Sequence, residues 1–203
     1  IPLVVLSLFA GIRSYRVGSD SGNYTRDFRT SLDIYNFEFS EFVEPGYQFL
    51  EYTLLRLTNE YFWLFFIISL IVVYCYLTII KKYSVNYWFS IFLFITLGVY
   101  TFFFNGLRQG LAMAIFALAL PYLLEKRLIP YLTICFLASL FHNTALFMIP
   151  FYFLVNLRIK PIYKILATFL GSLFVSRFLI KYISASNERY EGYAAADQEG
   201  GGY

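Results

Sequence analysis

Three polar islands interrupt an apolar chain, and each holds a residue type suited to charge or proton chemistry. In "NGLRQG", residues 105 to 110, two glycines, Asn105 and Gln109 surround Arg108 between two apolar runs. A guanidinium in hydrocarbon is costly, although a side chain near the interface escapes much of that cost by snorkelling. One reading of Arg108 is therefore an anchor at a helix end. The other is an anion pocket, because closely approaching backbone and several donors gather about a cation whose paired donors match phosphate. In "SLFHNTAL", 139 to 146, His142 is the only histidine. Asn143 and Thr144 can simply satisfy a helix turn around it, or the imidazole can take a proton from a hydroxyl nucleophile, since histidine as a residue type exchanges protons near neutrality.

The third island follows the first apolar run: "RSYRVGSDSGNY" sets Arg13, Arg16, Asp20 and Tyr24 where phosphate binding and sugar stacking are chemically possible, though a solvated linker has the same composition. Further on, "EFVEPGYQFL" reads as an acidic turn before a helix. There Glu44 can bind a substrate hydroxyl or cap the helix, and composition favours the cap. Other chemistries find no support: the chain lacks a phosphate-binding Gly-Lys-Ser/Thr loop, GxSxG, HExxH and any Cys or His cluster for zinc. Cys75 and Cys135 fall inside apolar runs, where a free thiol behaves as a small hydrophobe.

The elements that must position these residues are set by the solvent. With 59% hydrophobic, 22% aromatic and 14% charged residues, against roughly 25% charged in soluble domains, the expected fold is all-α, a polytopic transmembrane helical bundle. A hydrocarbon core about 30 Å thick needs roughly 20 residues of helix. Spans are expected at 61–80, 86–104 and 110–124, the last kinked near Pro121, with another over 161–183. The stretch 128–155 contains Pro130, the triplet His142 to Thr144, and Pro150, and it fits two short helices meeting at the triplet. Residues 1–12 are expected to be a trimmed first span, for about 6 to 7 spans in a fragment. This gives a membrane domain over 1–183 and, over 184–203, an outer loop leading to further spans.

Orientation follows from short basic loops, which stay cytoplasmic. Lys81, Lys82, Lys126, Arg127, Arg158, Lys160 and Lys164 face a single acid, Glu125, in three loops. Segment 13–60 instead holds five arginines and eight acids. It is expected outside, as short helices lying on the membrane with Phe28, Leu32, Ile34, Tyr35, Phe37 and Phe39 on their apolar side. Arg108 and His142 then reach the same outer face.

Four stretches in this order, "GSDSGNY" (18–24), "EPGY" (44–47), "NGLRQGLAMAI" (105–115) and "LASLFHNTAL" (137–146), resemble the EpsG family of bacterial membrane proteins, the Wzy-like polymerases of exopolysaccharide, capsule and O-antigen. "RYEGYA" (189–194) is similar to a Tyr-rich outer segment of that family. The resemblance implies glycosyl transfer at the outer face of the inner membrane. A glycan on polyprenyl diphosphate would pass to an acceptor hydroxyl of the next lipid-linked repeat unit, with no nucleotide sugar. It places Arg108 at the leaving diphosphate, where charge grows in the transition state, with Arg13 or Arg16 assisting. His142 becomes a base or an acceptor-orienting group, and Asp20 and Glu44 match the family's acidic positions. Tyr24, Asn105 and Gln109 complete the expected substrate contacts. No cofactor, metal or nucleic acid is expected; a chain-length regulator and other membrane proteins of polysaccharide synthesis are the expected partners. A flippase for the same lipids, a non-catalytic scaffold and a glycan acyltransferase remain the alternatives.

Overall fold

The computed structural model describes residues 1–30 and 39–186, the side chains of 30 and 174–186 aside. Every described element is helical. Two units separate at Asn156. The first contains α1 (Pro2–Gly11), α2 (Ser21–Thr30), α3 (Pro45–Leu55), α4 (Tyr61–Tyr83), α5 (Tyr87–Thr96), α6 (Val99–Asn105), α7 (Leu107–Ala117), α8 (Leu120–Leu124), α9 (Leu128–Ser139), a 3-10 turn (Asn143–Met148) and α10 (Ile149–Asn156). The second contains α11 (Pro161–Ser186). The "RYEGYA" stretch, the expected loop over 187–203, and Leu32, Ile34, Tyr35 and Phe37 lie outside the described residues.

α4 is the axis of the first unit, packed against α1 and α7. It buries Leu64, Phe65, Ile68, Val72 and Val73 completely or nearly so. Small residues let α1 approach: a Cβ at Gly11 would stand 3.0 Å from Phe66 Cβ, and the Ser69 hydroxyl donates to the Ser7 carbonyl at 3.0 Å. Tyr100 donates to the Leu6 carbonyl at 2.7 Å and ties α6 to the same helix. Large apolar side chains remain exposed around this core, among them Phe9, Tyr74, Trp88, Phe89 and Phe92, as a helical surface facing lipid requires.

Among the described residues, two stretches are long and apolar enough to cross a membrane, Tyr61–Tyr83 and Tyr87–Asn105. The second, expected as one continuous helix over 86–104, is broken: α5 ends at Thr96 and α6 restarts after Gly98, whose φ of +78° suits glycine. The expected span over 110–124 differs likewise. Its first helix begins at Leu107, so Arg108 and Gln109 sit in the opening turn of α7. It stops at Ala117, four residues before Pro121, because the proline ring opposes the carbonyl four residues back and offers no N–H. The polar triplet at 142–144 lies between α9 and α10, where the chain turns through the 3-10 segment.

Candidate active site

Four breaks in the helices bring the polar islands together. At the α6–α7 break, Gly106 adopts φ −123°, ψ 80° and directs the chain into α7 with Arg108 in its first turn. Gly110 permits the bend, since a Cβ there would lie 2.3 Å from Phe103 Cβ. The turn before α2 docks on this break. Gly18, at φ +101°, passes so close to the Phe104 carbonyl that a Cβ would stand 2.2 Å from its oxygen. The Ser21 hydroxyl donates to that oxygen at 2.9 Å, and the Ser19 amide donates to Asn105 Oδ1 at 3.1 Å. The serines and glycine of "GSDSGNY" therefore hold a loop in place, and Asn105 is their acceptor.

The turn before α3 docks on the end of α9 in the same manner. The Gly46 amide donates to the Leu140 carbonyl at 2.8 Å, and a Cβ at Gly46 would come within 2.7 Å of that oxygen. Pro45 begins α3 at a position where no amide is needed. Glu44 occupies the N-cap position yet caps nothing. The cap expected from composition is corrected by its partners: Arg108 Nη1 donates to Oε2 at 2.6 Å, His142 Nδ1 meets Oε1 at 2.9 Å, and the Asn143 amide approaches Oε1 at 3.4 Å. One carboxylate, 7% exposed, thus joins residues 64 and 98 positions away in sequence. Burial alone would raise its pKa; the hydrogen bonds from His142 and backbone amides, with the Arg108 charge, reverse this and hold it at about 2.

Tyr24 belongs to the same group. It interacts electrostatically with the Arg108 guanidinium, and its ring lies 5.9 Å from that of Tyr47. Arg108 stands 5.9 Å from the Tyr47 ring centroid. Beyond them is a residue that the motifs did not single out: Glu51, buried on α3 one turn after Tyr47. Burial, then the Asp27 charge, push its carboxyl up to about 7 despite the opposing effect of Arg108. The signal was the spacing 44, 47, 51, which a helix places along one stripe.

The remaining expected residues lie apart from Glu44. Arg13 is buried, with its guanidinium 3.9 Å from the Phe65 ring centroid and 4.3 Å from that of Phe104, donating to the Ala10 carbonyl at 2.9 Å. Burial lowers its pKa to about 10, which still leaves it cationic at neutral pH. This cage explains the residue as a clamp between α1 and the α6–α7 break. Arg16 and Asp20 are exposed, and the Asp20 carbonyl starts α2 by accepting from the Asn23 and Tyr24 amides. Gln109 is exposed and lines, with Thr144, Met113, Phe116, Phe147 and Met148, an apolar cavity of about 610 Å³. That cavity begins one residue after Arg108 and two after His142.

No curated protein and no solved structure matches the chain significantly. The EpsG family model matches residues 1–203. With that match over the whole sequence, and its motifs converging on one buried carboxylate, the chain belongs to the EpsG family, a family of Wzy-like polymerases.

Proposed function

We propose that this protein polymerises lipid-linked oligosaccharide repeat units at the outer face of the bacterial inner membrane, as a multi-pass bundle of about 6 to 7 spans with segment 13–60 outside. The donor is a glycan on polyprenyl diphosphate, and the acceptor is a hydroxyl of the next repeat unit. The observation that carries this reading is the Glu44 carboxylate holding Arg108 and His142 together. A guanidinium aimed by a buried carboxylate is preorganised, so its charge is available to a leaving diphosphate without reorganisation. Glu44 acts as the positioning residue. His142, with Nδ1 engaged, keeps Nε2 for the acceptor hydroxyl. Arg16, Asp20 and Tyr24 extend the site toward the sugars, and the apolar cavity beside Gln109 suits the isoprenoid chain that follows the diphosphate. Apolar lining is the common character of sites for such groups.

The test uses the full-length protein in a strain deleted for it, comparing wild type with Arg108→Ala and Arg108→Lys at matched membrane levels and reading glycan length on gels. Both variants are expected to leave single repeat units unpolymerised, Lys failing because an ammonium cannot supply the paired, planar contacts. Normal chain length in both would make Arg108 a helix anchor and remove the support for this reading.

A further inference from the structure

A carboxylate held at about 2 by an arginine, a histidine and backbone amides is a weak base, because proton acceptance in a transition state favours a group that titrates near the working pH. Glu44 is thereby suited to positioning and unsuited to taking a proton. A second carboxylate stands close by. Glu51 lies two helical turns along α3 from Glu44, 8% exposed, and among the described residues no hydrogen bond or ion pair is made by its carboxylate. One turn back on the same stripe is Tyr47, 3% exposed, whose hydroxyl is buried without a hydrogen-bond partner. The Tyr47 hydroxyl is a buried donor left unmatched, which is costly, and the Glu51 carboxylate one turn further along α3 is an acceptor with no partner among the described residues. Together they have the complement of one ligand hydroxyl, which donates to a carboxylate and accepts from a phenol.

The groups facing Glu51 account for its behaviour. From α2, Asp27 adds a like charge; from α3, Tyr47 interacts electrostatically with it; from α7, Arg108 opposes both. The result is a carboxyl that titrates near neutrality within reach of the field of Arg108, while Glu44 stays ionised. Two carboxylates driven apart by their surroundings are the pattern expected where one orients and the other exchanges protons.

We propose that Glu51, with the Tyr47 hydroxyl, binds the acceptor sugar hydroxyl and removes its proton during glycosyl transfer. This rests on the polymerase reading above. In the step, the acceptor O–H bond breaks and its proton goes to the Glu51 carboxylate, while the freed oxygen bonds the anomeric carbon of the donor glycan. The bond from that carbon to the diphosphate oxygen breaks with its electron pair on the diphosphate, beside Arg108. Tyr47 donates to the acceptor oxygen and fixes its approach; His142 Nε2 orients the same sugar.

The experiment reconstitutes the full-length protein in proteoliposomes with its lipid-linked repeat unit and measures polymer formation against pH for wild type, Glu51→Gln and Tyr47→Phe. Glu51→Gln preserves shape and removes a buried charge, so thermal stability at pH 8 is expected to stay level or rise. Polymerisation is expected to fall at least 100-fold, with donor binding unchanged and the acid limb near pH 7 absent from the residual activity. Tyr47→Phe is expected to raise the acceptor KM about tenfold and to retain that limb. Wild-type activity retained in Glu51→Gln, with the same pH profile, would overturn the proposal and leave the polymerase reading standing. An inactive wild type under conditions that preserve its fold would instead refute the polymerase reading. Loss of stability in Glu51→Gln would overturn the proposal by making Glu51 a structural residue.

Discussion

Replacing Glu44 tests the geometry on which the site depends. Its pKa falls from 4.5 to about 2 on folding. At about 1.36 kcal/mol per pH unit this corresponds to ~3 kcal/mol of interaction with the charged form. The Arg108 side chain is 24% exposed, so solvent screens part of this, and a loss of ~2–3 kcal/mol is expected for Glu44→Gln at pH 7. The sign follows from linkage. Between pH 4.5 and 2 the unfolded chain carries the proton and the folded chain does not, so the contribution is full above pH 4.5 and fades as pH falls toward 2. The gap between wild type and Glu44→Gln should therefore be constant from pH 5 to 8 and close by about 1.4 kcal/mol per unit below 4.5. Chemical unfolding of the full-length protein in micelles, followed by fluorescence of Trp63 and Trp88, would measure it. A double-mutant cycle with Arg108→Met isolates the pair, and a coupling of at least ~1.5 kcal/mol is expected. If the single effects add within ~0.5 kcal/mol, or the gap ignores acid, the ion pair is not what holds these segments together.

Two other substitutions separate architecture from chemistry. Gly46→Ala would drive a Cβ to 2.7 Å from the Leu140 carbonyl and 2.8 Å from its Cβ; the overpacking is expected to cost ~1–3 kcal/mol. By moving α3 away from α9 it should also lower polymerisation at least tenfold at matched protein level, read from glycan length and a thermal melt on the same preparation. Arg13→Ala removes the guanidinium from between Phe65 and Phe104, and a stability loss of ~2 kcal/mol with an unchanged KM for the lipid-linked donor is expected. A raised KM with unchanged stability would return Arg13 to phosphate binding.

What was legible in the sequence was whatever hydrophobicity or residue type carries locally. The apolar run from Tyr61 has one stable form in lipid, a helix, and it is α4. Arg108 and His142 stood out because polar groups in such surroundings need a reason. The proline and glycine breaks were only partly visible. Pro121 marked an interruption, but its effect falls four residues upstream, on Ala117, and Gly98 left no mark against the apolar residues around it. Periodicity sees composition along a helix and is blind to a single left-handed residue.

The tertiary structure decided the partnerships. Composition made Glu44 a helix cap; the fold turned its carboxylate from the α3 amides to Arg108 and His142. It left Arg13 open between phosphate binding and a solvated linker, while the packing of α4 against the α6–α7 break enclosed it in aromatic rings. It left Glu51 one acid among eight in segment 13–60, and only burial beside Asp27 and Tyr47 distinguishes it. The physical reason is common to all three. A residue's type fixes which interactions it can make, and hydrophobic patterning fixes which segments are helical. Which charge meets which depends on contacts between segments far apart in the chain, set by backbone approaches at Gly18, Gly46 and Gly110 that no local pattern encodes.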